Sequence, residues 1–156
     1  MDYFLGAALG GLIAFAYSIP AIILEFIERG KLTMAPPVIT IKTIFGYAIR
    51  KQEAFWAGLL LHIVIGTLFG SVYVLFVERG WLFVTHHPYQ FDSFVAYGFL
   101  SWIFVNVSIY PLLRMGFFGR REGNHIWMET LVSHMLMAVT MAGLVHWFQP
   151  FYFMGK

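Results

Sequence analysis

Apolar residues run almost unbroken over 3–28, 54–77, 92–115 and 125–148, with polar stretches between them. Each block reaches or passes the roughly 20 residues that a helix needs to cross a hydrocarbon core. Four transmembrane helices are therefore predicted. The connection between the first two reads differently. In "TIKTIFGYAIRK", Ile41, Ile44, Phe45, Ala48 and Ile49 recur at helical spacing, while Lys42, Thr43, Gly46, Tyr47 and Arg50 fall largely opposite. Pro36 and Pro37 break the chain ahead of this stretch. It is too short and too charged to span. A helix over 40–51 is expected, lying on the cytoplasmic leaflet or packed as a lid beneath the bundle. The predicted fold class is all-α: one transmembrane domain over 1–156, an integral membrane four-helix bundle with a short amphipathic interfacial helix between helices one and two.

Composition agrees with the pattern. The 156 residues are 60% hydrophobic and 12% charged, where a soluble domain carries about a quarter charged residues. Asp2 stands where a signal peptide would be basic, and the first apolar block is long, so a cleaved signal is not expected. Without cysteine, thiol catalysis and thiolate metal sites are excluded. A net charge of +2 is too small to suggest a nucleic-acid partner.

The placement of charge says more than its total. Arg29, Lys31, Lys42, Arg50 and Lys51 lie between the first two spans, and Arg114, Arg120 and Arg121 between the last two. Only Arg79 and Lys156 fall on the other side. The positive-inside rule then puts both termini outside a bacterial-type inner (plasma) membrane. Trp81, Phe83, Tyr89, Phe91, Trp147, Phe148, Phe151 and Tyr152 form the aromatic belt expected on the outer side.

Polar residues within the spans are the chief candidates for function, because each is costly there unless paired. Glu25, His62, Asn106, Glu129 and His134 stand out. At 1.5 Å per residue, His62 and His134 both lie about 12 Å from the cytoplasmic side, with Asn106 near the same level. Glu25 and Glu129 complete an expected polar layer nearer the inner surface. Two histidines at one depth on different helices suit a haem b iron. Gly58, Gly66 and Gly70 share a face with His62, and would clear space for a macrocycle or for another helix. The packed, cofactor-free arrangement is the expectation, with haem b as the alternative.

Other motifs add little. Glu129 and His134 diverge by about 140° around a helix, so no carboxylate–histidine metal site is expected. His86 and His87 read as a solvated turn, and the methionines of the last span as adaptable packing. Gly6, Gly10, Ala14 and Ser18 make a small-residue stripe, and Pro20 should kink the end of the first helix. No catalytic constellation is present.

"LLHIVIGTLFGSVYVLF", "YPLLRMGFFG" and "METLVSHMLMAVTMAGLVH" together resemble an uncharacterised family of small four-helix bacterial inner-membrane proteins. The matching positions are His62, Gly66 and Thr67, then Pro111, Gly116, Phe117, Phe118 and Gly119, then His134. The resemblance covers helices two to four and implies the same architecture, without a role to carry over. "RREGNH" and the 29–53 segment are more elaborate than that family's loops. The expected function is a non-enzymatic accessory or structural subunit that packs against other membrane proteins in the lipid bilayer. The alternatives are a haem b electron carrier using His62 and His134, and a small transporter or proton path.

Overall fold

The computed structural model describes residues 1, 3–28, 36–45, 50–81 and 88–152. In chain order its helices are α1 (Tyr3–Glu28), α2 (Pro36–Phe45), α3 (Lys51–Arg79), α4 (Phe91–Phe104), α5 (Tyr110–Leu112) and α6 (Ile126–Tyr152). A π-helical turn, Val105–Ile109, joins α4 to α5 and makes them one rod. Four helical stretches are long and apolar enough to cross a membrane: Tyr3–Ile23, Gln52–Arg79, Phe91–Leu112 and Ile126–Phe148. No strand occurs among the described residues.

The four rods run alternately up and down, in two tight pairs. α1 pairs with α3 through glycine. Gly6 lies against Gly70 and Gly10 against Gly66, with the Ala14 methyl also over Gly66. These positions run in opposite senses along the two helices, so the pair is antiparallel. Small residues let membrane helices approach closely, gaining dispersion contact where lipid offers no hydrophobic driving force. The stripe on α1 has found its complement on α3. α1 itself continues as helix through Pro20 to Glu28.

α4 pairs with α6 by the same device. A Cβ on Gly98 would stand 2.7 Å from the Ala138 methyl and 3.2 Å from the His134 carbonyl oxygen. Between α3 and α4 the filling is aromatic instead. Tyr73 and Phe94 stack with centroids 4.0 Å apart, and Phe69 meets Tyr97 edge-on at 4.7 Å. The Tyr97 hydroxyl donates to the Phe69 carbonyl at 2.9 Å. Ile13 and Ala14 of α1 close the core against Met137, Met141 and Val145 of α6.

Sequence explains several of the ends. Gly80 takes the left-handed conformation (φ 60°, ψ 38°) after α3. Its N–H donates to the Val77 carbonyl and that of Trp81 to Phe76. Trp81 and Phe76 then touch, with ring centroids 5.5 Å apart, completing a Schellman stop with its apolar contact. At the other end of the bundle, α5 stops at Leu112, three residues before the expected boundary. Arg114 has φ 61°, and the Arg114 N–H turns back to Pro111.

The helix expected over 40–51 is shifted. α2 starts at Pro36, and residues 46–49 lie outside those described. Pro36 and Pro37 open the helix rather than break the chain ahead of it. A proline costs nothing in the first turn, where its missing N–H would be unpaired anyway. The buried face differs as well. Val38 and Ile41 pack against Ala54 and Phe55 of α3, and Ile39 against Tyr110, Met115 and Ile126. Ile44, expected on the apolar face, is 49% exposed. α2 is wedged beneath the bundle.

Candidate functional site

The polar layer forms where the regular ladder of the third span is interrupted. Asn106 sits within the π-helical turn and is 0% exposed. Its side-chain Nδ2 donates to the Trp102 carbonyl at 2.9 Å and reaches Thr130 Oγ1 of α6 at 3.5 Å. The Asn106 Oδ1 atom is buried without a hydrogen-bond partner among the described residues. Pro111 lies just beyond and has no N–H to offer the carbonyls one turn before it. Such π turns gather at functional positions in helices.

α6 supplies the facing wall. The Thr130 hydroxyl donates back to the Ile126 carbonyl at 2.9 Å. Trp102 Nε1 crosses from α4 to the Trp127 carbonyl at 3.0 Å. One turn further along α6, His134 Nδ1 lies 2.7 Å from the Thr130 carbonyl. A carbonyl can only accept, so Nδ1 carries the proton and Nε2 keeps its lone pair. The His134 ring sits 6.2 Å from that of Phe69, edge to face. His62 is half-buried two turns before Phe69 on α3.

The glycine face next to His62 has a different tenant from a cofactor. A Cβ on Gly66 would stand 2.6 Å from the Gly10 carbonyl oxygen, and one on Gly70 1.9 Å from that of Gly6. α1 thus occupies the space that a macrocycle beside Gly66 and Gly70 would need. Gly58 is buried on the same helix.

Of the expected acidic members, Glu129 does not join the layer. Glu129 is exposed in the first turn of α6. Thr130, the next residue, faces inward, and one residue is about 100° of rotation. There the Glu129 carboxylate complements the positive end of the helix. The Glu25 side chain lies outside the described residues, as do His86 and His87. Among the described residues, no group of three or more His, Cys, Asp or Glu is placed to hold a metal.

Thr130, Trp102 and Tyr110 belong to the site and went unnoticed in the sequence. Tyr110 is buried, with its hydroxyl side toward Thr130. The spacing of Thr130 to His134, one helical turn, was the available signal. Trp102 to Asn106 has the same spacing.

Two shallow grooves lie outside the core. One, about 390 Å³, runs between α1 and α3 and is lined by Phe4, Ala7, Ala8, Gly11, Ile63 and Thr67 among others. The second, about 350 Å³, lies between α1 and α6, where the Tyr17 hydroxyl meets Thr140 Oγ1. Comparison with protein-family models, with curated proteins and with solved structures finds no match in any of the three. The resemblance of helices two to four therefore rests on the sequence motifs alone.

Proposed function

We propose that this is a non-enzymatic subunit of the bacterial inner membrane, acting by packing its α1 face against a transmembrane helix of another protein. The observation that carries this reading is the outer side of α1. Phe4 is 84% exposed and Leu12 64% exposed, and between such bulky residues the groove floor is made by Ala7, Ala8 and Gly11. Large side chains flanking a small-residue floor form the kind of surface on which membrane helices associate. α1 already shows the same chemistry on its inner side, toward Gly66 and Gly70. A helix with small residues on two faces can hold two neighbours.

The test is the size of the complex extracted from membranes in mild detergent. The wild-type chain is expected to migrate well above its monomer mass of 17.9 kDa. Ala8→Leu fills the groove from outside the core, and is expected to return the chain to monomer size with its melting temperature retained. A wild-type chain extracted only as monomer, or an Ala8→Leu variant with an unchanged complex, overturns the reading.

A further inference from the structure

The connection from α5 to α6 is short, basic and rigidly built. Arg114 and Phe118 both have positive φ (61° and 57°), a conformation that costs a side-chain-bearing residue energy. Gly116 and Gly119 take φ 76° and 67° beside them. The loop is pinned from within. Met115 is 0% exposed, its N–H donates to the Tyr110 carbonyl, and its own carbonyl accepts from the Arg121 N–H at 3.1 Å. Gly119 is buried against Ile126. The Arg121 stem lies over Gly116, where a Cβ would come within 3.2 Å of Cγ, and its Nη1 donates to the Arg114 carbonyl at 3.4 Å.

This construction holds three exposed guanidinium groups, on Arg114, Arg120 and Arg121, at one corner of the bundle. Lys42 of α2 lies at the same end, and together these cations outnumber Glu122 and Glu129. Apolar side chains stand beside them: Leu112 is 78% exposed and Phe117 61% exposed. Leu112 ends a membrane span, so its level is that of the boundary between acyl chain and headgroup. A free phosphate would use the arginines and gain nothing from Leu112 or Phe117. An anionic phospholipid uses both.

We infer that the 112–121 loop is a binding site for an anionic phospholipid, with Arg114, Arg120 and Arg121 around the phosphate and Leu112 and Phe117 against the acyl chains. Planar guanidinium donors match phosphate oxygens in pairs. An arginine near an anionic membrane surface contributes about a fivefold preference.

The experiment is a lipid titration of the full chain in neutral detergent micelles, read as the thermal unfolding midpoint. Dioleoylphosphatidylglycerol is expected to raise the midpoint, while dioleoylphosphatidylcholine and glycerol phosphate are not. In Arg114→Gln/Arg120→Gln/Arg121→Gln the half-protecting concentration should rise about a hundredfold. Arg79→Gln, at the opposite end, should leave it unchanged. If the triple variant does not fold, Arg120→Gln alone should raise it about fivefold, without disturbing the Arg121–Arg114 contact. Equal protection by phosphatidylcholine, protection by glycerol phosphate alone, or an unchanged titration in the folded variants overturns the assignment. Arginines that are needed for assembly with an acidic protein but not for lipid protection overturn it too.

Discussion

Gly70 and Gly6 meet so closely that a Cβ on Gly70 would stand 1.9 Å from the Gly6 carbonyl oxygen. Backbone is the obstacle, so no side chain can swing aside. Gly70→Ala is expected to push α1 away from α3 and to cost about 1–3 kcal/mol, the usual penalty of overpacking. Gly143→Ala is the control, since among the described residues nothing lies within 4 Å of its added methyl. It should be neutral or stabilising by up to about 1 kcal/mol, through helix propensity. Unfolding in micelles measures both; equal losses would mean the glycine seam carries no special contact.

Asn106 presents a different balance. Its amide satisfies the Trp102 carbonyl while its Oδ1 stays buried and unpartnered. Asn106→Leu removes both a good bond and a bad burial, so the net change is expected to stay within about 1 kcal/mol. Asn106→Asp keeps the shape and, ionised, offers only acceptors to a carbonyl. It should lower stability at neutral pH by about 1–3 kcal/mol or more. If the leucine variant is the less stable of the two, the amide has a partner that this balance omits.

Tyr89 makes stability depend on alkaline pH. Burial pushes its phenol up to about 12, with the nearby Glu78 carboxylate adding to the shift. Its hydroxyl donates to the Met1 carbonyl at 3.3 Å. The folded state therefore prefers the protonated phenol. That contribution is complete below the unfolded value near 10 and is lost as pH rises toward 12. In Tyr89→Phe the fall in melting temperature across pH 10–12 should be shallower than in wild type. An identical fall would place the sensitivity elsewhere.

The imidazoles of His62 and His134 make an optical prediction. With α1 seated on Gly66 and Gly70, the purified protein is expected to show no Soret band. A band present in wild type and absent in both His62→Ala and His134→Ala would establish the haem reading instead.

Orientation follows from charge, and is tested separately. Both termini are expected outside the cytoplasm, because the basic residues gather in the two connections at the other end. A reporter active only in the cytoplasm and fused after Lys156 should stay silent. Activity there would invert the map, placing the Arg114–Arg121 loop on the outer face.

The spans were legible in the sequence because a bilayer imposes a length and an apolar character that composition displays directly. The end of α3 at Gly80 has a similarly local cause, since only glycine turns left-handed at no cost. Tertiary structure decided everything that depends on rotation about a helix axis. A shift of one residue turns a side chain through about 100°, which separates Glu129 on the outside from Thr130 within. It also decided which partner each small-residue face would take. The Gly58–Gly70 face was expected to admit a helix, and which helix it meets lay on α1, some sixty residues away, where Gly6 and Gly10 match the spacing of Gly66 and Gly70. For α2 the register of an amphipathic helix shows that it has an apolar face, while the wall of Ala54, Phe55, Tyr110 and Met115 decides which of those residues are buried. Contact between distant segments is a property of packed surfaces, and no single stretch of chain encodes it.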